Sequence, residues 1–176
     1  MGRYSVVEPD QKIVEQLSGS RNAIIVGCTN CANISIGYDT NTPIFQIKTD
    51  EAGKKTAKPV AIDIEAKRLK RLLENQGTKV DIELHSTLCA AIDSEDPEIL
   101  AITGLPPSFK DREVDALLAL TCSSEGLMGV KRLVRDGVKV VPGMRIVGGH
   151  EPVLSYDEAS GNVFADENRS EFKRRE

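Results

Sequence analysis

The sequence predicts an α/β protein: a three-layer domain with a mostly parallel, Rossmann-like sheet and helices on both faces. Two observations carry that expectation. The runs "NAIIVGC" and "DALLALTC" are apolar throughout, the pattern of strands buried on both faces, as in parallel sheets. Amphipathic, helix-length segments alternate with the strand-like runs, and such alternation implies right-handed crossovers between parallel strands. The 176 residues suffice for one well-buried core.

The elements follow in order. Pro9, then Ile13, Val14 and Leu17, then Gly19, mark a helix with proline in its first turn and glycine past its end. "NAIIVGC" is the first buried strand. From residue 33 to 59 the periodicity dissolves into a long excursion, with a short strand at Ile44 to Ile47. Residues 60–76 place Ile62, Ala66, Leu69 and Leu73 on one face, and Gly77 closes that helix. "KVDIELH" alternates Val80, Ile82 and Leu84 with Lys79, Asp81, Glu83 and His85, which reads as a half-exposed edge strand.

A weak helical segment runs from Asp96 to Gly104, followed by a Pro106-Pro107 loop and the strand ending at Cys122. "SSEGLMGVKRLVRDG" carries a Ser N-cap and Leu127, Val130, Leu133 and Val134, and ends at Gly137. "VKVVPGMRIVGG" is the last strand. Residues 1–155 are expected as a single domain, and 156–176 as a polar tail, a peripheral helix or frayed end.

Composition excludes several function classes. The 23 basic and 27 acidic residues give a net charge of -4, so no strong attraction to nucleic acid or an anionic membrane is expected. No apolar run reaches the ~20 residues that span a bilayer. "MGRYSVVEPD" lacks the apolar core of a signal peptide, and Val6 stands where myristoylation needs Ser or Thr. The expected compartment is the cytoplasm. There, four cysteines in a chain this long point to catalysis, metal binding or inert burial before disulfides.

Each cysteine falls at the carboxyl end of a predicted strand. Cys28 ends the first, Cys31 lies just beyond it, Cys89 follows the alternating strand and Cys122 ends "DALLALTC". Ligands in an open α/β sheet bind outside the carboxyl ends of its strands, so all four thiols are expected at one edge. Four soft thiolates suit an iron-sulfur cluster or zinc. Two other readings stay open: inert buried cysteines, and a Cys28/Cys31 redox pair that leaves Cys89 and Cys122 without a role.

The same segments resemble a known family. "NAIIVGCTNCANISIG", the strand leading to Cys89, "VDALLALTC" and "VKVVPGMRIVGG" look like the small iron-sulfur or zinc-binding partner, or C-terminal domain, of methylenetetrahydrofolate reductase. Gly27, Cys28 and Cys31 match its first motif, Cys89 its second, Asp115, Ala116 and Cys122 its third, and Pro142 the proline of its last strand. A looser likeness extends to the delta subunit of methyl-viologen-reducing hydrogenase. The resemblance covers residues 20–150. It implies an accessory protein for a reductase in anaerobic folate- or methanopterin-linked one-carbon metabolism. "CSSEG" replaces the glycines that commonly follow the third motif, and the absence of a cysteine-rich tail implies at most one cluster.

Gly27 is a candidate for offering its backbone N-H to the cofactor. His85 is a candidate metal ligand or proton carrier, with His150 in "GGHEP" a second candidate behind it. Ser123 and Ser124 read as helix caps, and "VGCTNC" is not a dinucleotide fingerprint. No acid-base pair suggests independent catalysis. A reductase subunit is the expected partner, homo-oligomerisation is compatible with the sequence, and the rival to metal binding is an α/β module that takes a small molecule or partner at the same strand edge.

Overall fold

In the computed structural model, residues 2–86, 88–89, 96, 98–99 and 108–174 are described. The elements are β1 (Gly2–Val7), α1 (Asp10–Leu17), β2 (Asn22–Cys28), α2 (Cys31–Thr40), β3 (Phe45–Thr49), β4 (Lys55–Pro59), α3 (Ala61–Glu74), β5 (Lys79–His85), β6 (Ala116–Leu120), α4 (Ser124–Lys131), β7 (Lys139–Pro142), β8 (Met144–Glu151), β9 (Leu154–Asp157), β10 (Asn162–Ala165) and β11 (Glu171–Arg174).

The fold is mixed α/β, and this overturns the mostly parallel, three-layer Rossmann-like expectation. Among the described residues one parallel sheet, ordered β5-β2-β6-β7, stands beside two antiparallel sheets, β1-β8-β11 and β4-β3-β10-β9. The parallel sheet agrees with the sequence pattern. Ile24, Ile25 and Val26 of β2 and Leu117, Leu118 and Leu120 of β6 are fully buried. The alternating β5 is an edge strand, as its one-sided pattern predicts.

The antiparallel sheets are built from the N-terminal segment, the second half of "VKVVPGMRIVGG", the 33–59 excursion and the tail. "VKVVPGMRIVGG" is two strands: β7 pairs with β6, the chain turns at Gly143, and β8 pairs with β1 and β11. The polar tail forms strands instead of a helix: β10 lies between β3 and β9 and buries Val163, and β11 is the edge of the sheet it shares with β8. The helix expected from Asp96 to Gly104 lies largely outside the described residues.

The excursion at 33–59 is α2 followed by the β3–β4 hairpin. α2 shows no apolar stripe because it is covered on two sides, burying Ala32, Asn33, Ser35, Ile36 and Gly37. Its positions 31, 35 and 38 face β1-β8-β11: Ser35 Oγ accepts the Ser5 N-H, and Tyr38 stacks on Phe172 with ring centroids 3.4 Å apart. Its other side meets α3. There the wholly buried Asn33 donates Nδ2-H to the Ile44 carbonyl at 2.8 Å and accepts the Ile62 N-H at 2.9 Å.

Asn33 thereby caps α3 from a different helix, where Val60 at the N-cap supplies no side-chain bond. Asn33→Ala should strand both backbone partners and cost about 2–4 kcal/mol. Urea unfolding of the variant measures this; an unchanged midpoint would contradict the bridging role.

Candidate thiol site

The strand order β5-β2-β6-β7 reverses direction beside β2, because the chain goes outward to β5 and then returns across β2 to β6. Open parallel sheets bind ligands at such a reversal, outside the carboxyl ends of the strands, here β2 and β6. Cys28 is the last residue of β2, and Cys31 opens α2. Cys122 follows β6 by two residues, and Cys89 lies on the turn after β5.

The register holds these positions together. Cys28 pairs with His85 and Gly27 with Leu120, and the Thr29 N-H continues the ladder to the His85 carbonyl at 2.9 Å. At the other end of β2, both carboxylate oxygens of Asp115 accept backbone N-H groups, those of Arg21 and Asn22. Asp115 is thus a structural anchor for the strand.

The sulfurs differ in environment. Cys28 is 3 % exposed, and burial pushes its thiol up; backbone N-H groups of Asn30 and Leu88 directed at its sulfur work the other way, and the charges of Cys89 and Cys31 raise it further. The turn after β5 therefore folds its backbone onto Cys28. α4 approaches that turn closely at Gly129, where a Cβ would stand 2.7 Å from the Leu88 carbonyl oxygen.

Cys31, half-buried at the start of α2, is pulled down to about 4, first by the Cys122 side chain and then by His150. Cys122 moves upward through the same contact and through its burial. The two share one proton: the charge sits on Cys31, nearer water and at a helix N-terminus, and the buried Cys122 keeps its S-H. Cys28 and Cys89 add their charges to the rise at Cys122. Among the described residues, no three or more His, Cys, Asp or Glu side chains are gathered as ligands around one metal ion.

The two remaining sequence candidates have other surroundings. A Cβ on Gly27 would stand 2.7 Å from Leu84 Cδ2 and 2.9 Å from Ile62 Cδ1, so its small size serves packing of β2 against α3 and β5. The His85 ring lies beside Glu83, with Nε2 3.3 Å from Oε2, and Arg112 clamps Glu83 and Asp81 along the same strand. The histidine that meets the thiols is His150, 2 % exposed on β8. Its sequence signal was weak, because only the pairing of β8 with β1 and β11 brings it over α2. Ser123 caps α4, its Oγ accepting the Gly126 N-H at 3.1 Å.

Polar bonds tie the site to the antiparallel sheet. Ser5 Oγ-H donates to the Cys122 carbonyl at 3.2 Å, and Arg3 pairs with Glu125 of α4 at 2.9 Å. No family model, curated protein or solved structure matches the chain.

Limiting iodoacetamide at about pH 6 should modify Cys31 first, since its thiolate persists well below the ordinary thiol range. Cys122→Ala removes the principal stabilising group, so the Cys31 titration should move upward and labelling at that pH slow by about tenfold. Peptide mass spectrometry reads both. Labelling that follows exposure alone, with Cys89 ahead of Cys31, would contradict the assignment.

Proposed function

We propose that the protein binds one iron-sulfur cluster, or zinc in its place, through Cys28, Cys31, Cys89 and Cys122, and serves as an accessory subunit of a cytoplasmic reductase in one-carbon metabolism. The observation that carries this reading is that thiols from three strand ends come near enough at one switch point for their charges to act on Cys28 and Cys122. The resemblance of the cysteine segments to the small partner of methylenetetrahydrofolate reductase supplies the metabolic assignment.

Charge supports the donor set. With no cation, Cys31 holds its negative charge readily, while burial and neighbouring thiols oppose ionisation of Cys28 and Cys122. A cationic centre reverses that balance and favours thiolates throughout. The backbone N-H groups of Asn30 and Leu88 are already directed at Cys28 sulfur and would stay on it as ligand.

When bound, an iron-sulfur cluster supplies one-electron transfer at a potential set by burial and by N-H donors to sulfur. The chain's own residues hold it dry on one side, where Cys28, Leu88 and Cys122 are buried. Cys89 is the exposed member and marks the side from which a redox partner approaches. Zinc would make the same site structural or thiolate-binding, since it has no redox chemistry.

A second reading, thiol redox chemistry without metal, has one observation in its favour, the Cys31 thiolate. It pairs Cys31 with Cys122, the thiol that shares its proton, in place of Cys28.

Anaerobic purification followed by iron, zinc and acid-labile sulfide determination separates these readings. The expected result is a coloured protein with iron and sulfide, whose iron content drops about tenfold or more in Cys28→Ser and Cys122→Ser variants that still fold. A colourless, metal-free protein with four titratable thiols would overturn the metal reading.

A further inference from the structure

The β4-β3-β10-β9 sheet alternates along its strands. Gln46, Lys48, Thr56 and Lys58 stand on one face, and Phe45, Ile47, Ala57 and Pro59 on the other. Register carries the apolar face across the sheet: Pro59 pairs with Phe45, Phe45 with Val163 and Val163 with Tyr156, which makes one continuous row. Leu154 and Ala165 pair in the row on one side of it. Ala57 and Ile47 pair in the row on the other, which Gly161 completes, its carbonyl accepting the Ile47 N-H at 2.7 Å.

This alternation belongs to an antiparallel sheet with one face covered and one in water. Here the apolar face is open: Tyr156 is 49 % and Leu154 43 % exposed, and Ala57 is exposed as well. The body of the protein meets the sheet from its other side. Ile44, the residue before β3, is wholly buried, and a Cβ on Gly37 of α2 would stand 2.6 Å from its Cγ1. Side chains alternate along an extended chain, so Phe45 and its row look away from α2.

Charge is divided between the two halves of the sheet. Residues 45–59 carry four lysines against Asp50 and Glu51, and Asp50 is engaged within its own turn by the Ala52 and Lys54 N-H groups. Residues 154–165 carry Asp157 and Glu158 and no basic residue. Lys55 pairs with Thr49 two residues beyond Ile47, and Gly161 lies beside Ile47, so the lysine-bearing turn and the acidic turn share one end of the sheet.

We propose that this face docks on the same face of a second copy of the chain, about a two-fold axis that runs parallel to the strands between β3 and β10. Such a contact is isologous, and this axis lays the basic half of each copy over the acidic half of the other. Lys55 then reaches Glu158 of the other copy, Pro59 covers its Tyr156, Phe45 its Val163, and Ile47 fills the space over its Gly161, where no side chain stands. A two-fold running across the strands would instead set each lysine-bearing half over itself. Face-to-face sheets with aligned strands are the ordinary sandwich arrangement. One four-stranded face is small for an interface, so the dimer forms reversibly with concentration. The proposal is independent of what the thiols bind.

Sedimentation velocity of the full chain, kept reduced and in chelator over a wide range of concentration, tests it. The expected result is monomer at low concentration, dimer at high, and no larger species. Tyr156→Lys changes an exposed side chain and should leave a folded monomer throughout, with folding checked by circular dichroism. Lys55→Glu and Glu158→Lys should each weaken association by about tenfold, since each replaces two symmetry-related attractions by repulsions. The double variant Lys55→Glu/Glu158→Lys should recover the wild-type association. A wild type that stays monomeric throughout would overturn the proposal, as would dimers that persist in Tyr156→Lys or a double variant no better than either single one. Continued growth to larger assemblies would point to strand pairing at the free edges of β4 and β9 and overturn the closed dimer.

Discussion

The parallel register of β2 between β5 and β6 is the constraint from which the site follows. β2 is buried on both faces and paired along both edges, so its end point, Cys28, is fixed by seven pairs with β5 and five with β6. A slip of one residue would exchange the faces on which Ile24, Ile25 and Val26 pack and move Cys28 from its place. The same register puts the turn after β5 and the loop after β6 on either side of Cys28. Backbone bonding then brings Leu88, and with it Cys89, onto that sulfur.

α2 links this sheet to the rest of the molecule. It begins at Cys31 and lies with one face on the antiparallel β1-β8-β11 sheet and the other on α3. Asn33 and Ser35, both wholly buried, satisfy backbone groups on opposite sides of it. A helix clamped this way fixes the direction of its own N-terminus. The Cys31 thiol is consequently held between Cys122 of the parallel sheet and His150 of the antiparallel one.

The sequence made legible what depends on one-sided or fully apolar burial. β2, β5, β6, α1 and α3 are visible because their apolar positions repeat at the period of the element. The placement of cysteines at strand ends followed from those strands. α2 was hidden because a helix buried on two sides by Ala, Ser, Asn and Gly has no stripe. β8 was hidden inside one continuous apolar run, since nothing local announces that Gly143 moves the chain from one sheet to another. β3 agrees with the short strand expected at Ile44 to Ile47, while β4, β9, β10 and β11 are four or five residues long with little buried, too short a pattern to announce a strand. His150 owes its place to the pairing of β8 with β1 and β11, so in the sequence His85, at the end of an evident strand, ranks first.

The thiols are unequal: burial opposes ionisation of Cys28, the Cys31 contact and burial oppose it at Cys122, and Cys122 with His150 favours it at Cys31. Under the proposed reading a cationic centre would turn this uneven set into four thiolate ligands. X-ray absorption at the iron and zinc edges of anaerobically purified protein tests this most directly. The account predicts a metal whose first shell is sulfur, with the sulfur count reduced in Cys31→Ser; an edge showing neither metal, or a shell of oxygen and nitrogen alone, would contradict it.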